Sequence, residues 1–224
     1  GNGGAIYNKG NLTDSKSSYG NNKAENGGAI YNENRIVGVK TDKKGKKTDI
    51  AGLVSVKFNS NTAVENGGAI FNNQKGYVWS NKSSFINNSS KLGGAIYNNS
   101  DAKTEEIEIS TEDGAVGYKN VVVSQKGVVK SDYTTFNQNT AENGGAIYNK
   151  SGILTLKFVN FGNQFEENGN DALNGGAIYN LNKLTATNVN FTNNFADENG
   201  GALYTSGYTK LSAATFKDNE STLG

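Results

Sequence analysis

The chain contains no cysteine, methionine, histidine or proline, and it has a single arginine, Arg35. Without cysteine it can form no disulfide, thiolate metal site or cysteine nucleophile. Without histidine it lacks the commonest general base and metal ligand. Because there is no initiator methionine, we expect a processed or excised chain. No apolar run approaches the roughly 20 residues that a helical membrane span requires.

Charge and hydrophobicity are also low. The 224 residues carry a formal net charge of +1, 34% of them are hydrophobic, and the mean hydropathy is −0.62. Such a balance gives no long-range field that would attract nucleic acid or an acidic substrate. By contrast, the chain has 29 glycines and 36 asparagines. A chain of this composition buries a continuous core only if similar units stack on one another.

Two short motifs recur along the whole sequence in a constant phase, which indicates a repeat architecture. The first is Gly-Gly-Ala-(Ile/Leu)-(Tyr/Phe), and the second is an aromatic residue followed three positions later by Asn. The first motif begins at Gly3, Gly27, Gly67, Gly93, Gly144, Gly175 and Gly200. The second begins at Tyr19, Phe58, Phe85, Phe136, Phe165, Phe191 and Phe216.

The repeat period predicts the fold. Successive copies of the first motif are 24, 40, 26, 51, 31 and 25 residues apart, so the basic period is 24 to 26 residues. Apolar and polar residues alternate within a period, as in 154–159 and 184–191, and this alternation is typical of strands. Asn, Gly, Ser and Asp between them predict turns. We therefore predict an all-β fold, a right-handed parallel β-helix (solenoid) of about seven coils stacked about 4.8 Å apart.

Stacked coils place equivalent residues above one another. The Ile or Leu of the first motif is predicted to point inward, and the following aromatic residue to form a parallel row. The alanine before it points either the other way or inward at a tight corner. The aromatic residue of the second motif is predicted to stack inside, and its Asn forms either an amide ladder or a left-handed turn. In the fifth period we expect Phe161 to take the structural place while Phe165 carries the motif.

Two periods are expanded at the same point by insertions, residues 35–56 and 101–129. The first is predicted to be a β-hairpin with arms Ile36–Val39 and Leu53–Val56 and a basic tip. The second is predicted to be a longer, acidic hairpin that turns near 113–114. They are either solvated loop tips, or they pair with each other or bind a partner. The candidate partner-binding residues are Lys43, Lys44, Lys46, Lys47, Glu105, Glu106, Glu108 and the aromatic residues Tyr77, Trp79 and Tyr118, whose alternative role is packing.

The organisation of the chain is predicted to be a single repeat array over residues 1–224. Neither end shows an amphipathic helix or the polar cap that solenoids normally need. We therefore expect either a segment of a longer β-helix or an uncapped subunit whose end strands pair with other copies.

The combined motifs, written in full by residues 136–149, resemble the repeats of the chlamydial polymorphic outer membrane proteins. They are also similar to adhesin-like surface proteins of methanogenic archaea and other bacteria. The resemblance covers the chain outside the insertions. It implies a secreted, β-helical passenger displayed at the cell surface, often with an adhesive role.

Three functions follow as hypotheses. The first is an extracellular or cell-surface adhesin or stalk segment that attaches to a surface protein or glycan of a host or neighbouring cell. The second is a filament subunit that polymerises end to end with copies of itself. The third, a remote alternative, is a polysaccharide-active enzyme, which would need paired carboxylates, often with Arg, Lys or His. We predict no enzymatic activity, no catalytic, cofactor-binding or metal-binding residue, no nucleic-acid partner and no direct membrane insertion by this segment.

Overall fold

The computed structural model describes residues 1–99, 104–110, 116–122, 127–163 and 169–223, with only the backbone described in 104–110 and 116–122. Throughout these ranges the chain forms strands and turns and no helix. The strands, in chain order, are β1 Ile6–Asn8, β2 Asp14–Ser15, β3 Ser18–Gly20, β4 Lys23–Asn26, β5 Ile30–Asn32, β6 Arg35–Thr41, β7 Lys47–Ala51, β8 Leu53–Val54, β9 Lys57–Asn59, β10 Thr62–Asn66, β11 Ile70–Asn72, β12 Tyr77–Asn81, β13 Ser84–Ile86, β14 Ile96–Asn98, β15 Thr104–Ser110, β16 Val116–Val122, β17 Val128–Asp132, β18 Thr135–Asn137, β19 Thr140–Asn143, β20 Ile147–Asn149, β21 Ile153–Phe161, β22 Asp171–Asn174, β23 Ile178–Asn180, β24 Lys183–Thr192, β25 Phe195–Asn199, β26 Leu203–Thr205, β27 Tyr208–Lys217 and β28 Glu220–Ser221.

Strands from successive repeats lie side by side in parallel, which confirms the prediction of a parallel β-helix. One sheet has the strand order β1-β5-β11-β14-β20-β23-β26, so it takes one strand from each Gly-Gly-Ala motif. The pairing keeps the repeat in phase, because Ile147 pairs with Ile96 on one side and with Ile178 on the other. A thirteen-stranded sheet and the shorter ladders β10-β4 and β19-β22-β25-β28 complete the described strands of the repeats.

The glycine pair of the first motif forms the tight turn into each of these strands. Its first glycine has a positive φ of 62° to 69° in all seven copies, a backbone conformation that residues with a Cβ rarely adopt. Its second glycine lies against the next repeat. A Cβ on Gly145 would lie 2.2 Å from the carbonyl oxygen of Gly176. The motif therefore needs glycine twice, for two different reasons.

Two rows of apolar side chains fill the interior. The isoleucines of the first motif are fully buried from Ile30 to Ile178, as predicted, and the alanines before them are buried in the same cluster. Of the two alternatives for alanine, the structure therefore has the inward one. The second row is a stack of aromatic rings whose centroids are 4.7 to 5.0 Å apart. Its members are Tyr19, Phe58, Phe85, Phe136, Phe161, Phe191 and Phe216.

Phe161 takes the structural place in the fifth period, as predicted, because it stacks between Phe136 and Phe191. The motif that begins at Phe165 lies outside the described residues. The aromatic residues of the first motif form their predicted row as well, with centroids 4.5 to 5.2 Å apart.

Both insertions form antiparallel strand pairs. In the first, β6 pairs with β7 from Val37–Ala51 to Thr41–Lys47. The predicted second arm, Leu53–Val56, was wrong: Leu53 and Val54 have already rejoined the repeat and pair in parallel with β2 and β12. The reason is the buried Leu53 side chain, which belongs to the core rather than to the hairpin. In the second, β15 pairs with β16, and the predicted turn at 113–114 lies outside the described residues.

Candidate functional site

The repeated asparagines form the amide ladder predicted for the second motif. Successive side chains are joined by Nδ2–Oδ1 hydrogen bonds of 2.8 to 3.0 Å. The members of this first asparagine ladder are Asn22, Asn61, Asn88, Asn139, Asn170, Asn194 and Asn219. The motif that begins at Phe165 would place Asn168 in the ladder, and this prediction was wrong, because in the fifth period the ladder residue is Asn170. The extra residues of that turn displace the ladder position along the sequence.

Each ladder residue also ties neighbouring turns together through the backbone. The Nδ2 of Asn139 donates to the backbone oxygen of Phe85, and its backbone nitrogen donates to the Oδ1 of Asn170. The left-handed backbone conformation falls one residue earlier, at Gln138, with a φ of 54°. The side-chain ladder and the left-handed turn are therefore adjacent features rather than alternatives.

A second asparagine ladder was missed from the sequence. It follows the Ile-Tyr pair of the first motif, and its Nδ2–Oδ1 bonds measure 2.7 to 2.9 Å. Its members are Asn8, Asn32, Asn72, Asn98, Asn149 and Asn180. Five of the six are completely buried. The signal was in the sequence, since Asn follows the motif in six of its seven copies.

The lysines predicted to bind a partner stand at the tip of the first hairpin. Lys43, Lys44, Lys46 and Lys47 are all exposed. The carboxylate of Asp42 holds the turn, because its Oδ1 accepts from the backbone nitrogens of Lys44 and Lys46 over 2.8 and 2.9 Å. The tip is therefore an ordered, basic projection.

Tyr77 and Trp79 lie beside the base of that hairpin and are half-buried. The guanidinium of Arg35 lies over the Tyr77 ring and pairs with Asp49 over 2.7 Å. The indole nitrogen of Trp79 donates to Asp132 over 2.7 Å. The Lys130 ammonium lies 3.8 Å from the Trp79 ring centroid. These contacts favour the packing role that was the alternative for both aromatic residues.

The acidic candidates occupy the second hairpin. Glu105, Glu106 and Glu108 lie on β15, and Tyr118 lies on β16 directly opposite Glu108 in the antiparallel register. The structure describes only the backbone of these two strands. The backbone therefore places these four residues together on one hairpin, separate from the lysine tip in sequence.

Two exposed aromatic residues were missed by the sequence analysis. Tyr133 and Phe158 stack on each other with centroids 4.8 Å apart and are 55% and 38% exposed. Both have left-handed backbones, with φ of 49° and 54°. Bulky residues are uncommon in this conformation. Lys16, Ser55, Lys82, Asn188 and Ala213 have the same conformation at the equivalent corner of other repeats.

A polar groove of 680 Å³ crosses the outer face of the thirteen-stranded sheet beside this corner. Amides and hydroxyls dominate its lining, and they come from strands of five neighbouring repeats. The lining residues are Ile86, Thr135, Asn137, Gln138, Asn160, Gly162, Asn163, Asn190, Thr192, Thr215 and Lys217. Such a groove can offer repeated hydrogen-bond donors and acceptors along the axis of the β-helix.

Asp171 is a described carboxyl group whose pKa lies above its usual value. Partial desolvation and the neighbouring Asp197 carboxylate raise the pKa of Asp171. Among the residues that the structure describes, no group of three His, Cys, Asp or Glu side chains could hold a metal ion. In the same part of the chain, no helix has the length and apolar character of a membrane span.

The comparison with protein families agrees with this geometry. The model of the Chlamydia polymorphic membrane protein repeat matches four segments, residues 55–73, 82–99, 133–150 and 188–206. Each segment contains one aromatic residue of the inner stack and one Gly-Gly-Ala strand. The resemblance seen in the motifs is thereby confirmed. No curated protein and no solved structure matches the chain significantly.

The repeat family gives a coarse view of the role. Polymorphic membrane proteins are non-enzymatic proteins associated with the outer membrane and the cell surface, and the repeat matches support a surface-associated location for this chain. The residues that recur in every repeat are the ones that stack and are buried inside the β-helix. The hairpins, the aromatic corner and the polar groove are the features that differ between repeats.

Proposed function

We propose that this chain is a cell-surface or secreted β-helical segment that mediates attachment, as an adhesin or as the stalk that presents one. The observation that carries the proposal is the match of four segments to the polymorphic membrane protein repeat on a continuous parallel β-helix. A stack of this kind is a stiff, repetitive support, and solenoids use their extended surfaces for binding.

The distribution of residues supports binding rather than catalysis. The repeated asparagines, isoleucines and aromatic rings are used within the stack. The residues that vary, such as the lysines at 43–47, stand out from it and are exposed. Loops that project from a rigid scaffold commonly carry recognition. We therefore propose that no step of the function is catalytic and that the partner is a protein or glycan of a host or neighbouring cell.

Attachment can be measured with beads coated with the chain. The beads are allowed to settle on cultured cells and are then exposed to increasing flow, and the fraction that remains is counted. Beads coated with the intact chain should resist detachment more than beads coated with a chain of the same composition whose repeats have been scrambled. Equal detachment of the two on every cell type tested would contradict an attachment role.

The basic hairpin has its own test in this assay. Replacing Lys43, Lys44, Lys46 and Lys47 together by Gln removes the charge from an exposed tip without touching the core. If the tip binds an acidic surface, retention should fall, and it should also fall as salt is raised. A matched variant replaces Lys9, Lys23, Lys150 and Lys183, which are also exposed, and should leave retention unchanged.

End-to-end association is a second candidate function. In the last described turns Phe216 stacks on Phe191 alone and stays 47% exposed, whereas the interior members of the same stack are buried. Another copy of the chain, or further repeats of the same one, would cover it. Electron microscopy distinguishes these: growing fibres of the purified chain support association, and rods of one fixed length contradict it.

A further inference from the structure

The polar groove has the shape and chemistry of a binding site that the repeat architecture itself does not require. Its central row runs through Thr135, Asn160, Asn190 and Thr215, which are register partners on four successive strands. Each of them comes directly before a phenylalanine of the inner stack. The core fixes the spacing of the row, and the identity of the outward side chain is free to vary.

The groove presents groups that are free to bond a ligand. The Nδ2 of Asn190 donates to the Oδ1 of Asn160 over 2.9 Å, and both side chains are exposed. Within the described residues no other hydrogen bond engages these two side chains. The nitrogen of Asn160 and the oxygen of Asn190 therefore remain as one donor and one acceptor at adjacent positions of the row.

The described lining of the groove carries no net charge. Among the residues that the structure describes, it contains no carboxylate, and its one cation, Lys217, lies 3.5 Å from the carboxylate of Asp218. A charged polymer would thus meet no net counter-charge along the groove, whereas an uncharged ligand needs none. Charge complementarity favours a neutral ligand.

A peptide fits this surface poorly. Strands in the middle of a sheet have their backbone groups paired with their neighbours, so an added peptide strand would find no free edge here. Among the described lining residues, the single large apolar side chain is Ile86, at one end of the groove. Peptide grooves normally contain several apolar pockets.

The length and the flank of the groove indicate a linear glycan. Its lining spans five repeats, or about 19 Å at about 4.8 Å per repeat, which suits an oligosaccharide rather than a single sugar. Amides and hydroxyls suit sugar hydroxyls. The exposed rings of Tyr133 and Phe158 stand two residues before Thr135 and Asn160, on the corner that bounds this face. Aromatic rings pack on the C–H faces of pyranose rings.

We propose that this groove, with the aromatic corner of Tyr133 and Phe158, binds a linear, uncharged glycan along the axis of the β-helix. The proposal deepens the attachment function and rests on it. The glycan is the surface that the segment attaches to, and the repeat spacing sets the distance between successive contacts.

The test is a titration of the intact chain, by calorimetry and saturation-transfer NMR, with six neutral linear hexasaccharides. They are the hexamers of α-1,4-glucan, β-1,4-glucan, β-1,3-glucan, β-1,4-mannan, β-1,4-xylan and chitin. Two acidic oligosaccharides, hexagalacturonate and a heparin hexasaccharide, serve as comparators. We expect at least one neutral hexamer to bind more tightly than either acidic one.

Three variants locate the site. Tyr133→Asn keeps a residue that tolerates the left-handed conformation and removes the ring. The double variant Asn160→Ala/Asn190→Ala removes the adjacent amides, and Thr192→Val removes one hydroxyl at nearly constant volume, so that folding is preserved. The first two should weaken binding about tenfold, as expected for loss of an anchor group. Tyr208→Asn and Asn199→Ala, exposed residues outside the groove, should change it by less than about twofold.

The outcomes separate this proposal from the attachment function. Neutral binding that the groove variants weaken and the controls leave unchanged supports the groove. Absence of neutral binding at millimolar concentration, equal binding by the groove variants, or tighter binding of the acidic sugars overturns it. If beads still attach to cells in any of those cases, attachment stands and only the groove is wrong, whereas loss of both overturns both.

Discussion

Asn98 and Asn149 are 51 residues apart in the sequence, and the side-chain nitrogen of Asn98 donates to the side-chain oxygen of Asn149 over 2.9 Å. All of the second insertion lies between them. The bond is as short as those between repeats that carry no insertion, such as the 2.9 Å bond from Asn72 to Asn98. An insertion can therefore leave the stack from its edge without changing the spacing of the residues inside.

The buried ladder predicts a large loss of stability from a single amide. In Asn149→Leu, the amide of Asn98 and the oxygen of Asn180 would lose their partner in a buried place. We expect the free energy of unfolding to fall by roughly 2–4 kcal/mol, because buried polar groups left unpaired are costly. Chemical denaturation measures it. Asn59→Leu, at an exposed position, is the control, and equal losses would refute the ladder's role.

The aromatic stack predicts a gradient between its interior and its last described member. Phe136 is fully buried between two rings, so Phe136→Ala should cost about 3–5 kcal/mol. Phe216 is 47% exposed and contacts one ring of the stack, so Phe216→Ala should cost about 1 kcal/mol. Thermal unfolding of both variants checks the order. A larger loss for Phe216 would mean that the end of the stack is covered in solution.

The second glycine of the motif predicts a strict steric requirement. In Gly145→Ala the new methyl group would meet the carbonyl of Gly176 at 2.2 Å, against backbone that cannot move freely. We expect a loss above about 4 kcal/mol or no folded protein. Gly10→Ala is the matched control, since a Cβ there meets nothing within 4 Å. It should change stability by less than about 0.5 kcal/mol.

The first hairpin should be removable. Replacing residues 40–48 by Asn-Gly joins the paired residues Val39 and Asp49 through a two-residue turn that suits a hairpin. Residues 39–48 are exposed, so we expect a melting temperature within about 3 °C of the parent. Calorimetry checks it. A collapse of the melting temperature would show that the hairpin supports the stack.

Asp171 predicts a pH effect of defined sign. Its pKa is raised in the folded state, so the folded chain binds the proton of this carboxyl group more tightly than the unfolded chain does. Its contribution is fully present below the unfolded pKa, near 4, and is lost as pH rises through the folded value. Asp171→Asn should therefore raise the melting temperature at pH 7 relative to the parent and make little difference at pH 3. A difference of the same size at both pH values would contradict the electrostatic origin.

Most of what repeats could be predicted from the sequence, except the second asparagine ladder, and part of what varies could not. The constant phase of two motifs was enough for the parallel stack, the isoleucine row and the place of Phe161. The prediction from the sequence failed at Leu53, where a buried side chain belongs to the core, and at Asn170, where a longer turn displaces the ladder. Nothing in the alternation of polar and apolar residues signalled the exposed Tyr133 and Phe158. They occupy a corner at which other repeats carry Lys, Ser, Asn or Ala, and such a corner has no hydrophobic period.

The Gly-Gly-Ala strands pair Ile with Ile and aromatic with aromatic at nearly every step of their sheet. Every junction between neighbouring repeats therefore presents almost the same two surfaces to each other. Recombination between the repeated segments of a gene would add or delete a whole period and rejoin surfaces that already match. A lineage could thus change the reach of such a rod, or shuffle its variable projections, without having to evolve a new core.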